Sequence, residues 1–417
     1  MVLGQFPDSF LWGVATAGHQ TEGDNSTSDT WYLENVEPTI FAEPSGKACN
    51  SYELWEEDLD LAAGLGLNAF RFSVEWARIE PSEGVFDENA LAHYDALVDG
   101  CVARGLAPIV TFCHFTAPHW FAARAAWLDA EAPELFARFC GVVTDRIGDR
   151  IAAAVTFNEP NLSPMLAWAH LPDFILQLQE ATLAAASAKA GVARYRAGNV
   201  MLPEDFAGMQ DGMTRAHRTA KAAIKARRPD LPVGLSIAIS DDRAAAGGEQ
   251  TVATKRADVY DHWLRLARED DFIGVQNYER IWFGPDGQLP PAEDAVLNGM
   301  GTEVEPASLG EAVRYAHEVS GRPVLVTEHG LGSTDDSLRA AFIEPSLAGL
   351  LGAIESGVPV LGYCHWTLLD NFEWIFGFEP RFGLHEVDRT TFARTPKPSA
   401  QVFASLLAAQ RPLPVAP

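Results

Sequence analysis

Cysteine is scarce in this chain. Five residues in 417 (Cys49, Cys101, Cys113, Cys140 and Cys364) are odd in number and show no CxxC or Cys/His metal spacing. That excludes a disulfide framework and a structural zinc site as organising devices, and reduced, buried thiols are expected. No apolar run reaches the length of a bilayer span. Residues 1–13, MVLGQFPDSFLWG, lack the basic start, apolar middle and small-residue cleavage site of a secretory signal. The expectation is a cytoplasmic protein. Basic residues are outnumbered: 31 Lys and Arg face 57 Asp and Glu, for a formal charge of −26. Such a surface repels phosphate backbones and anionic lipid, which argues against nucleic acid or membrane as a partner. Also missing are a glycine-rich dinucleotide fingerprint after the first predicted strand and a linker long enough to mark a domain boundary.

What the chain does contain is an ordinary globular balance, 47% apolar and 21% charged, arranged in a β/α rhythm. Short segments rich in β-branched residues recur at 11–18, 69–74, 107–114, 153–159, 233–240, 272–278, 323–329 and 360–367. They are apolar on both alternations, as strands of a parallel sheet covered on both faces should be. Between them, 53–66, 95–105 and 214–229 show amphipathic helical spacing and stop at Gly or Pro. Eight strands alternating with helices predict one α/β domain over residues 1–417, a (β/α)8 TIM barrel; an open doubly wound sheet is the alternative. Residues 161–206 depart from the rhythm and predict a mobile lid or helical excursion after the fourth strand. Its apolar residues Leu162, Met165, Leu166, Trp168, Leu171 and Phe174 are unusual for a loop. A second loop is expected over 284–294.

In a parallel barrel, chemistry gathers at the C-terminal ends of the strands. Glu159 and Glu328 end the fourth and seventh predicted strands and face one cavity from opposite sides. That is the layout glycoside cleavage needs: one carboxylic acid to protonate the departing oxygen and one carboxylate to attack. Pro160 biases Glu159 toward extended backbone. Arg71 and Tyr278 are placed to hold Glu328 ionised, while Glu159, with no such cation, keeps a raised pKa. Trp366 and Trp374 offer flat faces for a sugar ring, and Gln20, His114, Asn158 and Glu373 reach its hydroxyls. Asp370, His19 and Glu22 read as structural, and the run ELWEED (53–58) as a solvated helix face.

Taken in order, FPDSFLWGVATAGHQTEG at the N-terminus, RFSVEWARIEP (71–81), TFNEP (156–160), VTEHG (326–330), WTLLDNFEW (366–374) and RFGL (381–384) resemble family 1 of the glycoside hydrolases, the retaining β-glucosidase family. The resemblance runs over nearly the whole chain. It implies Glu159 as acid/base, Glu328 as nucleophile, Asn158 as the contact to the sugar 2-hydroxyl, and Arg71 and Tyr278 as supports of the nucleophile. Gln20, His114, Trp366, Glu373 and Trp374 match the residues lining the sugar site. The expected substrate is a small-molecule β-glycoside, first a β-glucoside, with no metal or organic cofactor. Glu373 beside Trp374 argues against a 6-phospho-sugar. An alcohol replacing water in the second step, or a non-catalytic sugar-binding relative, are the rival readings; oligomeric state is left open.

The sequence also departs from the family pattern. His329 stands where Asn is usual, Gln276-Asn277-Tyr278 where Asn-Tyr-Tyr is usual, and HFTAPHW where many relatives carry Leu-Pro. The stretch after Asn161 lacks the Gly-Tyr-rich pattern, and its apolar side chains suggest either a hydrophobic aglycone or a helix packed against the barrel.

Overall fold

In the computed structural model, which describes residues 3–169 and 172–410, eight parallel strands close into a barrel. They are β1 (Leu11–Ala15), β2 (Ala69–Ser73), β3 (Ala107–Cys113), β4 (Ala153–Asn158), β5 (Val233–Ala238), β6 (Phe272–Asn277), β7 (Val324–His329) and β8 (Val360–Trp366). Each of the eight β-branched segments found in the sequence is a barrel strand. Their order is β1-β8-β7-β6-β5-β4-β3-β2, and pairing of β1 with β8 leaves no free edge, so the open sheet is ruled out.

The double-sided apolar pattern has a direct cause. Inward residues Ala15, Ala69, Ile109, Val155, Leu325 and Cys364 fill the lumen, while outward Val14, Phe72, Val110, Ile273, Val275 and Val326 pack beneath the helices. Both faces are dry, so neither alternation is polar. The predicted helices extend N-terminally, to Ser51–Gly64, Glu88–Ala103 and Phe206–Arg227. The Asp87 side chain accepts from the backbone N–H groups of Asn89 and Ala90 and so sets the second start.

Two expectations need correction here. The run ELWEED is not wholly solvated: Asp58 turns inward and accepts from Arg394 at 2.8 Å, with both side chains buried. The helix Asp336–Glu355 is long and apolar enough to cross a membrane by length and composition. Here Phe342, Ile343, Leu347 and Leu350 are buried, and the helix packs against Ser308–Ser320 and Pro398–Gln410. All five cysteines are free and buried.

The excursion after β4 begins with two helices, Leu162–Trp168 and Asp173–Ala190; Leu171 lies outside the described residues. Asn161 pins its start, donating to the Ala238 carbonyl at 2.7 Å and accepting from the Ala238 N–H at 3.1 Å. Arg194 and Arg196 close its far end by pairing with buried Asp205.

Candidate active site

Glu328 lies within β7 and is buried. The Arg71 guanidinium, wholly buried on β2, donates through Nη1 to Oε1 at 2.5 Å, and the Tyr278 hydroxyl donates to Oε2 at 2.5 Å. Burial pushes the Glu328 pKa up, and Arg71 and Tyr278 pull against it. Gly330 lets the β7 tip lie against β8: a Cβ there would fall 2.0 Å from the Trp366 carbonyl oxygen.

Glu159 follows β4 directly and keeps some exposure. Burial, and then the charge of Glu328, raise its pKa well above the usual carboxylate range; Arg71 lowers it and Glu373 raises it further. Of two carboxyls in one field, the one without direct cation contact holds the proton. Phe115, Trp127, Phe157, Met201 and Met213 wall the same side, around a cavity of about 10 Å³ that Glu159 also lines. The backbone here corrects the extended geometry expected before Pro160. Glu159 has φ +44°, because the chain turns out of the barrel at once. Its N–H donates to the Ser236 carbonyl at 2.8 Å, and its carbonyl accepts from the Leu162 N–H at 3.0 Å. A left-handed non-glycine residue costs on the order of 1–3 kcal/mol and is held by its surroundings. Phe115, after His114, and Trp374 also have positive φ (68° and 53°).

Around these carboxyls the remaining candidates converge. His114, Trp366 and Trp374 form near-parallel rings, with His114–Trp366 centroids 5.8 Å apart at 18° and His114–Trp374 at 6.1 Å and 13°. His19 also stacks with Trp374, 5.7 Å away at 9°. Burial and the nearby Arg71 hold His114 well below the usual imidazole range, so it is neutral. Gln20 is fully buried and donates to the Phe372 carbonyl at 2.8 Å and to Asn371 at 3.2 Å. Glu373 is raised well above its usual range by burial and by Glu328; Trp366 and Gln20 hydrogen-bond to it and work the other way. Buried Gln20 Oε1, His114 Nδ1, Asn158 Nδ2 and Glu373 Oε1 have no partner. Buried polar atoms are normally bonded, which makes these four candidates for contact with a polar ligand.

Several residues named from sequence stand elsewhere. His329 faces out of the barrel, stacked on Phe342 and bonded to the Tyr363 hydroxyl at 3.0 Å; burial lowers its pKa to about 3, so it is neutral. Asp370 is structural, accepting from the Gly383 N–H at 2.8 Å and pairing with Lys397 at 2.6 Å. His19 pairs with Glu34, and Glu22 with Arg78. Sequence reading missed Gln276, whose Nε2 donates to Asn158 Oδ1 at 2.6 Å. The signal was its position: two residues before Tyr278, it shares that residue's inward parity on β6.

On the excursion, Leu166, Phe174 and Leu176 are exposed, while Ile175 and Leu178 pack with Phe372, Ile375 and Phe378. Trp168 meets Phe283 edge-on, so the two helices reach from the loops after β5 and β6 to the loop after β8. Among the described residues, no cluster of three or more His, Cys, Asp or Glu is grouped as a metal site.

Similarity to known proteins runs over nearly the whole chain. The family described as Glycosyl hydrolase family 1 matches residues 2–196 and 290–412. A beta-glucosidase from Agrobacterium sp. is 30% identical, over 96% of this chain and 95% of that protein. The crystal structure of beta-glycosidase BGL167 superposes with a TM-score of 0.92 at 44% identity, covering 99% of each chain. The apo structure of a beta-glucosidase, 1317, also gives 0.92, at 40% identity over 97% of this chain and 99% of that one.

Proposed function

The chain belongs to glycosyl hydrolase family 1 and is a β-glycosidase; within that class, we propose that it is a retaining β-glucosidase with Glu159 as acid/base and Glu328 as nucleophile. One observation carries the assignment of roles. Two strand-tip carboxyls share a field, and Arg71 and Tyr278 contact only one of them. Glu328 attacks the anomeric carbon as the bond to the aglycone oxygen breaks, and the Glu159 proton goes to that oxygen. Glu159, now a carboxylate, takes a proton from water, whose oxygen attacks the same carbon and releases Glu328. Buried Gln20 and Glu373, beside the Trp366–His114–Trp374 column, suit a glucosyl ring. β-Galactosides and β-fucosides are the neighbouring substrates to compare.

The exposed apolar side chains Leu166, Phe174 and Leu176 support a hydrophobic aglycone over a run of further sugars. Five free, buried thiols suit a reducing, cytoplasmic compartment.

The deciding experiment is mass spectrometry after incubation with a 2-deoxy-2-fluoro-β-glucosyl trapping reagent. A covalent label on the peptide containing Glu328 is expected. Steady turnover without a covalent adduct, or a label on Glu159, overturns the role assignment.

A further inference from the structure

Glu34, on the short helix Asp29–Glu34, is a buried acid that the two-carboxyl mechanism does not use. Its two oxygens face different partners. Oε1 lies 2.8 Å from His19 Nε2, and Oε2 accepts from both the backbone N–H and the hydroxyl of Ser45, at 2.9 and 2.8 Å.

The tautomer of His19 at this bond follows from groups that cannot turn round. Glu75 Oε2 only accepts, so the Asn25 atom 2.8 Å from it is Nδ2. That Nδ2 also lies 3.3 Å from His19 Nδ1, which must then be the acceptor. Ser28 Oγ, 3.5 Å from the same ring nitrogen, accepts from the Trp31 N–H and keeps its own proton to donate. The imidazole proton is therefore on Nε2, aimed at Glu34.

Both ends of this bridge reach the loop of Glu373 and Trp374. The His19 ring stacks with Trp374, centroids 5.7 Å apart at 9°. Ser45 ends the segment 42–45, whose Ala42 N–H donates to the Ile375 carbonyl at 3.0 Å and whose Glu43 Oε1 accepts from the Phe378 N–H at 2.9 Å. The loop needs such a hold: Trp374 has φ +53°, and a Cβ on Gly377, at φ +68°, would fall 2.5 Å from Glu43 Oε1. Glu34 is thus joined to the Glu373–Trp374 loop by an aromatic route and a backbone route.

We propose that Glu34, through His19 and Ser45, is a positioning residue that holds Glu373 and Trp374 in place for the sugar ring, so that it sets affinity for the sugar and not for the aglycone. This rests on the glycosidase reading above. Glu34 acts only through these neighbours, and the bond-breaking belongs to the carboxyls.

The test is Glu34→Gln, which keeps the shape but cannot serve both partners: whichever way the amide turns, its NH2 faces either the Ser45 N–H or the His19 N–H. The Ki of deoxynojirimycin, a sugar-shaped inhibitor with no aglycone, should rise about tenfold, and kcat/KM should fall by a similar factor on 4-nitrophenyl and octyl β-glucosides alike. A role in stability alone lowers Tm and leaves Ki within about twofold of wild type, which overturns the proposal. A kcat/KM loss confined to one of the two glucosides also overturns it. The double variant His19→Phe, Glu34→Leu removes the bond with both its ends and leaves no unpaired carboxylate. It should show the same rise in Ki, and it carries the comparison if Glu34→Gln fails to fold by circular dichroism. Wild-type turnover of 4-nitrophenyl β-glucoside reports separately on the glycosidase reading.

Discussion

Arg71 Nη1 meets Glu328 Oε1 at 2.5 Å inside the barrel lumen, and Arg71 itself has no solvent exposure. A buried carboxylate beside a fixed cation is stable only as a pair. Replacing Arg71 with Met leaves Glu328 desolvated without compensation, so it takes up a proton. The acid limb of the kcat/KM profile should move to higher pH, and kcat at neutral pH should fall by about a hundredfold or more. The fold should lose on the order of 3–5 kcal/mol. Denaturant melts and a pH–rate series measure both, and an unmoved acid limb refutes the pairing argument.

On the proposed roles, Glu159 sets the other limb. Burial and the charge of Glu328 raise its pKa, so its acid form persists above the usual carboxylate range. Activity should therefore decline on the alkaline side as Glu159 deprotonates and on the acid side as Glu328 protonates. Glu159→Gln should remove the alkaline limb and cost about 10²–10⁴ in kcat on an alkyl glucoside, whose leaving group needs a proton. A 2,4-dinitrophenyl glucoside, which needs none, should lose far less in kcat/KM. Equal losses on the two would assign the proton donor elsewhere.

His329 shows how a departure in sequence is absorbed by geometry. It lies next to Glu328 in the chain but on the opposite face of β7, against Phe342 and Tyr363. His329→Asn should leave the acid limb of kcat/KM in place. Its effect is on stability. Burial lowers the folded-state pKa to about 3, against 6.5 for the free side chain. The unfolded chain therefore takes up this proton first. Stability is constant from this source above pH 6.5 and is lost as pH falls from there toward 3. Between pH 7 and pH 5, the Tm of His329→Asn should drop by less than that of the wild type; a larger drop contradicts a neutral His329.

The barrel was legible because each strand is buried on both faces, and that demand writes mostly apolar residues into consecutive positions of each of the eight segments. The paired carboxyls were legible for the converse reason: Glu159 and Glu328 interrupt that pattern at strand tips, where buried charge needs a purpose. Three features were hidden. The left-handed turn at Glu159 depends on the chain leaving β4 toward Leu162, which the Pro160 rule alone does not contain. The burial of Asp58 depends on Arg394, distant in sequence. Gln276 is an uncharged amide in an apolar strand, and its bonding depends on Asn158 and Arg71 from two other strands. Hydrophobic periodicity reports burial; it carries no information about which buried polar group meets which.

The Asp58–Arg394 pair gives a test of stability apart from chemistry. It ties the helix Ser51–Gly64 to the strand Arg394–Pro396, and neither residue is among those gathered around Glu159 and Glu328. Arg394→Met leaves Asp58 buried without its cation and should cost roughly 3–5 kcal/mol of unfolding free energy. The variant should keep the wild-type kcat at temperatures where it remains folded. A double variant that also carries Asp58→Leu should regain much of that stability, since removing both charges removes the uncompensated one.

The proposed hydrophobic aglycone can be tested on the excursion. Phe174 and Leu176 are exposed although they are large and apolar, as is Leu166 on the preceding helix, while Ile175 and Leu178, on the helix of Phe174, are packed against Ile375 and Phe378. A helix that already has a buried face has no packing reason for the exposed side chains, but contact with an apolar aglycone supplies one. Covering part of Phe174 is worth about 1 kcal/mol at roughly 25 cal/mol per Å². Phe174→Ser should therefore lower kcat/KM for an octyl or naphthyl β-glucoside about fivefold, acting through KM, and leave methyl β-glucoside unchanged. A wild-type preference for cellotetraose over the apolar glucosides, or equal losses in Phe174→Ser on the octyl and methyl glucosides, would assign these side chains to helix packing alone.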